Sequence, residues 1–124
     1  MIRRSLMVCL VLALAGVVYA AAGENVKLTG YVVDNACAGR ASGENGVEKV
    51  KAHSVKCSLM PNCAKSGYSV VTAEGKVYKL DDAGNMKVAE LLKNTKTEKG
   101  FAVNVEGMVE GDTLKVSTVS EASN

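Results

Sequence analysis

The 124-residue chain has no tryptophan and only one phenylalanine, one proline and one histidine. With so few aromatics, a core must be assembled from Val, Leu, Ala, Met and a few Tyr. Tyr31, Tyr68, Tyr78 and Phe101 are the only aromatic residues after position 20. Base stacking needs aromatic platforms set in a basic groove, and residues 21–124 balance 13 basic against 13 acidic side chains, so composition argues against a nucleic-acid partner. One histidine excludes H-E-x-x-H, and neither G-x-S-x-G nor a Walker loop occurs. Without C-x-x-C or C-x-x-C-H, the thioredoxin-like and c-type haem motifs are absent as well. These absences leave no recognisable enzyme, and the expectation is a non-enzymatic domain.

Long apolar runs are also scarce. The one at the start, "LMVCLVLALAGVV", follows the two arginines of "MIRR" and ends in small residues at "YAAAGEN". It is shorter than the ~20 residues a spanning helix needs. A positive n-region, an apolar h-region and small residues before the break make residues 1–22 a signal peptide, with cleavage after Ala20 or Ala22 fitting equally. The expected product is one small exported domain over residues 23–124, periplasmic or extracellular, with no membrane span of its own. Cys9 and both N-terminal arginines leave with the signal, so the formal charge falls from +2 to zero. At this size a core is thin, and a covalent or metal staple would help.

What is present is alternation. "VKLTGYVVDNAC" (26–37) predicts a first strand with a bulge or bend at Gly30, and "AGRASGENG" (38–46) an exposed loop. "VEKVKAHSVKCSLM" (47–60) has helical spacing, with Val47, Val50, Ser54 and Cys57 on one stripe and Pro61 ending it. "GYSVVTAEGKVYKLDD" (67–82) predicts a hairpin turning at Glu74-Gly75. "DDAGN" reads as a second turn; its faint likeness to a calcium loop lacks the closing Glu. "MKVAELLKN" (86–94) predicts a two-turn helix with Met86, Ala89 and Leu92 on one face. "FAVNVEGMVEGDTLKVSTVS" (101–120) predicts a last hairpin turning at Glu110–Asp112, with Gly107 and Gly111 serving turns or bulges. Five strands with a helix between the third and fourth is the order of an oligonucleotide/oligosaccharide-binding (OB) barrel. An α+β roll and a small β-sandwich share that element order.

The chemistry-bearing residues cluster between 34 and 63. If 47–60 is one helix, His53 and Cys57 project from the same face a turn apart. The break at Pro61 lets Cys63 return toward that face, and Cys37 ends the first strand. Three thiolates and one imidazole make a tetrahedral Cys3His set for zinc. Met60 could add a thioether suited to copper(I), and Asp34 could orient His53 from outside the ligand set. The spacing is looser than a zinc knuckle. Two other readings compete. One is a disulfide between Cys37 and Cys57 or Cys63, stapling a domain for an unknown ligand. The other is a thiol-redox protein or sensor using the Cys57/Cys63 pair. Removal of Cys9 leaves an odd number of thiols, so one must stay unpaired within the chain under either disulfide scheme.

"GYVVDNAC", "HSVKCSLMPNCAKSGY" and "GKVYKLDDAGN" together resemble a family of small exported bacterial proteins of unassigned function. These share a D-x-x-C strand end, an H-x3-C-x-L-M-P-x-C turn and an S-G-Y strand start on a periplasmic OB-fold-like barrel. The resemblance implies that Asp34, Cys37, His53, Cys57, Met60 and Cys63 belong to one site, and carries no reaction or ligand with it.

Overall fold

Alternating Val and Leu make Glu24–Asp34 an 11-residue strand, β1, the longest among the described residues. A strand this long can serve two neighbours. In the computed structural model, which describes residues 23–41 and 43–123, its first part pairs antiparallel with β4 (Ala102–Glu110) and its second with β2 (Tyr68–Thr72). β2 pairs with β3 (Val77–Leu80), β3 lies parallel to β5 (Thr113–Glu121), and β5 returns to β4. The order β1-β2-β3-β5-β4 closes a five-stranded barrel. The OB-like expectation therefore holds, and α4 (Asp82–Asn94) lies between β3 and β4 as expected. The signal peptide expected over residues 1–22 lies outside the described residues. Among the described residues no helix is long and apolar enough to cross a membrane.

Two glycines permit closure. Gly30 takes part in both β1 pairings without a register shift, so the expected bulge is not there. Its role is close approach: a Cβ at this position would lie 2.6 Å from the Val71 carbonyl oxygen and from Val70 Cγ1. The irregularity falls instead between Glu106 and Gly107 in the β4–β5 ladder, where a Cβ on Gly107 would stand 2.1 Å from the Lys115 oxygen.

The barrel interior is filled by Tyr68, Val70, Leu80, Phe101, Val103, Val105 and Leu114, with Val88 and Leu92 of α4 plugging one end. α4 begins four residues before the expected start at Met86. "DDAGN" is its first turn: Asp81 is the N-cap, its Oδ1 accepting from the Gly84 amide at 2.9 Å and from the Val116 amide at 3.2 Å. The cap thus also ties the helix to β5. Gly84, Val88 and Leu92 face the barrel, and Met86, expected on the apolar face, is 74% exposed.

A second, smaller core lies on the other face of β1 and β2. Val33 and Val71 pack there against Ala41 and Val50. These come from a 3-10 turn (Ala38–Ala41) and α1 (Gly46–Lys51), where an exposed loop was expected up to Gly46. All five residues of β2 are therefore buried. The segment between β1 and β2 caps the outer face of the barrel with its own hydrophobic layer.

The predicted 47–60 helix is broken. α1 ends at Lys51, Ala52–Ser54 are not helical, and α2 is a single turn, Val55–Ser58. Long-range pairing causes the break. The Val55 amide donates to the Glu98 carbonyl at 2.8 Å, the Gly100 amide donates to the His53 carbonyl at 3.2 Å, and Ser54 bridges Lys99. Ser54, extended at φ −85 and ψ 145, caps α2 by accepting from the Cys57 amide. Met60 is extended before Pro61, as that proline requires. Pro61 then opens a further helix, α3 (Pro61–Lys65), which carries Cys63.

Candidate metal centre

Asp34 is the last residue of β1, and its side chain is fully buried beneath the inserted segment. A buried carboxylate requires donors, and this one has several. Its Oδ2 accepts from the Cys37 amide at 3.1 Å, which closes the turn after β1. Its Oδ1 lies 2.7 Å from His53 Nε2, and the imidazole is 10% exposed. Its charge also reaches the thiols of Cys37 and Cys63. The donor atoms of Asp34, Cys37 and His53 lie within 4.8 Å of one another. These three form a group that could hold a metal ion.

His53 does not reach the carboxylate from a helix face shared with Cys57, as the spacing predicts. It sits in the break between α1 and α2, held through its backbone by Val50 and Gly100. Cys57 lies on α2, close enough to Cys37 and Cys63 for its charge to be felt by both thiols. Cys37, Cys57 and Cys63 are all free thiols. Met60 is 54% exposed and lines a groove with Leu59 and Lys56. A cleft of about 360 Å³, lined by Cys37 and His53 with Arg40 and Lys49, gives access to the cluster.

Several residues that hold the cluster together carry no signal of their own in the sequence. Ser66, after α3, accepts from the Ala36 amide and donates to the Cys63 carbonyl at 2.6 Å, while Asn35 donates to the Ser66 carbonyl at 2.9 Å. Ser69 in turn donates to Asn35. This chain of bonds ties the Cys63 helix to the end of β1, beside Asp34. On the other side the buried Tyr68 hydroxyl donates to the Ser58 carbonyl at 2.9 Å, fixing α2 and Cys57 to the barrel. The sequence hints were the S-G-Y strand start, which names Ser66 and Tyr68 without a bonding role, and the place of Asn35 directly after Asp34.

The electrostatics follow from the carboxylate. Removal from water pushes the Cys63 thiol up to about 11, and the charge and hydrogen bond of Asp34 add to it. Cys37 is raised by the same causes in the same order, with Arg40 opposing them. Tyr68 is raised by burial first, then by Asp34 and Cys63. At neutral pH a thiol near 11 is thiolate in only about one molecule in ten thousand, and the thiolate is the nucleophile in exchange. A bound cation would reverse the balance, because it neutralises the carboxylate and takes the thiolate as ligand.

No family model matches the chain, and no curated protein or solved structure matches it. The chemistry of the cluster therefore carries the functional conclusion.

Proposed function

We propose that this is a non-enzymatic exported domain that binds one zinc ion between the end of β1 and the inserted segment. Asp34, Cys37 and His53 are its ligands, and Cys63 completes the set. The observation that carries this is the convergence of a carboxylate, an imidazole and a thiol within 4.8 Å from two separate segments, the turn at 34–37 and the break at His53. The Cys63 thiol is held protonated by burial and then by the charge of the same carboxylate, which places it beside the group. One oxygen, one nitrogen and two sulfurs suit tetrahedral zinc, whereas the hard carboxylate disfavours copper(I). In a tetrahedron with bonds near 2.0 Å the ligand oxygen and nitrogen stand about 3.3 Å apart. The 2.7 Å between Asp34 and His53 must therefore open by roughly half an ångström to admit the ion. The resemblance of the 34–63 pattern to small exported proteins supports a single shared site, with Cys57 beside it as reserve ligand. Raised thiols work against the redox reading, which needs an accessible thiolate.

Native mass spectrometry of residues 23–124, purified without chelator, tests this. The expected result is one zinc per chain, lost in His53→Ala and in Cys37→Ser. A protein that binds no metal after incubation with zinc, or whose variants bind as well as the parent, would refute it. Preferential uptake of copper(I) would refute the choice of ion.

A further inference from the structure

On the outer side of α2, Lys56, Lys93, Lys96 and Lys99 line an open groove of about 790 Å³. All four lysines are exposed, and Glu98 is the only acid among the lining residues. Its apolar wall includes Leu59 and Met60, the latter 54% exposed. Residues 23–123 are neutral overall, with 13 basic and 13 acidic side chains, so this concentration leaves the remaining surface net negative. Around the groove the four lysines outnumber Glu98 and Glu121, the latter's carboxylate holding the Thr95 and Thr97 hydroxyls.

From this local excess of exposed lysines we infer that the groove docks an acidic, extended segment of a partner protein. Its carboxylates meet the four lysines, and one apolar side chain seats against Leu59 and Met60. The groove is open along its length, which would leave an acyl chain half in water. It is also concave, so a flat membrane surface would not bring all four lysines to its headgroups together. A peptide satisfies both features: backbone and acidic side chains stay at the rim while a single anchor goes in.

The test uses residues 23–124 and a fluorescein-labelled peptide of roughly a dozen residues, Asp and Glu around one central Leu. Fluorescence anisotropy measures affinity, and amide chemical-shift changes locate the site. The expected result is saturable binding with shifts at 54–60 and 92–99. It should weaken by at least about tenfold in the Lys56→Glu/Lys93→Glu/Lys96→Glu variant and as salt rises from low to physiological strength. Replacing the central Leu by Ser, or Met60→Asp, should also weaken it. Binding that persists in the folded charge-reversed variant overturns the inference. So does absence of saturable binding, or the same shifts produced only by phosphatidylglycerol vesicles or by self-association of this chain. Repeating the titration with Cys37→Ser separates this result from the metal centre, because the groove does not include that residue.

Discussion

Replacing Asp34 by Asn keeps the shape of the side chain and removes its charge, which makes it the most informative single change. The native carboxylate accepts from the Cys37 amide at 3.1 Å, lies 2.7 Å from His53 Nε2, and raises the Cys37 and Cys63 thiols by its charge. An amide keeps one acceptor oxygen and turns an NH2 toward donors on the other side. Losing one bond to a charged group costs about 1.5–3 kcal/mol. In a domain of this size that lowers the melting temperature of the metal-free protein by roughly 10–20 °C. The Cys63 thiol should come down from about 11 but stay above its ordinary 9.0, because burial, the larger cause, is untouched. Zinc affinity should fall by at least about 10–100-fold, the loss seen when even an outer partner of a metal ligand is removed. Three assays read these effects: thermal melts followed by circular dichroism, cysteine-resolved alkylation against pH by mass spectrometry, and zinc competition against a chromophoric chelator. An unmoved Cys63 alkylation profile together with unchanged zinc affinity would refute the central role of this carboxylate.

Other changes follow from the same geometry. Zinc affinity should rise about tenfold per pH unit for each thiol proton displaced, so about a hundredfold with Cys37 and Cys63 both as ligands, measured by chelator competition between pH 6 and 8. The metal-free domain should lose stability in alkali. Cys63 keeps its proton up to about 11 when folded and only to about 9.0 when unfolded, so this contribution is whole below 9.0 and disappears as pH rises through 11. Cys37 and Tyr68 are raised in the same direction, and melts across this range on parent and Cys63→Ser should show a smaller loss in the variant. Tyr68→Phe removes the hydroxyl that holds the Ser58 carbonyl at 2.9 Å and should cost about 1 kcal/mol or more in urea unfolding, with weaker zinc binding as α2 loosens. Gly107→Ala drives a methyl against the Lys115 carbonyl and should destabilise by about 1–3 kcal/mol without touching the metal centre.

The barrel was legible because its signals are local. Alternation over 101–120 and the glycine turns at 75 and 111 each specify a strand pair without reference to the rest of the chain, and Gly75 and Gly111 do take positive φ. The misreadings came where a distant segment decides the backbone. Residues 47–60 have a helical period, yet backbone bonds from 98–100 pull His53 and Ser54 out of it. No window of the sequence contains both partners. "DDAGN" reads equally as a turn or as a helix start, since Asp serves both. The Val116 amide on Asp81 and the close approach of Gly84 to Val116 settle it. Starting the helix at Met86 also rotated its apolar face, which places that side chain toward the core when it lies in water.

The centre shows how residue types can be read correctly while the route that joins them is not. Cys3His composition pointed to the thiols and the imidazole, and Asp34 entered only as a partner of His53. In the fold that carboxylate is the most buried member, and Cys37, His53 and Cys63 are arranged around it. The break in the predicted helix is what makes this geometry reachable. A continuous helix would carry His53 and Cys57 on one rigid face, spaced by a turn. The extended residues at 53–54 let the imidazole meet the end of β1 independently while α2 and α3 bring the thiols. His53, Cys63 and Cys37 thus reach one carboxylate, with Cys57 beside the two thiols, each fixed by its own tether: Gly100 for His53, Ser54 for Cys57, Ser66 for Cys63, and the turn after β1 for Cys37. Removing a tether should therefore loosen one ligand and leave the others in place. Ser54→Ala, which removes the hydroxyl that accepts from the Cys57 amide, is the sharpest case: alkylation of Cys57 should change while that of Cys37 does not. Equal changes at both thiols would mean that the segments move as one body and that the tethers do not act separately.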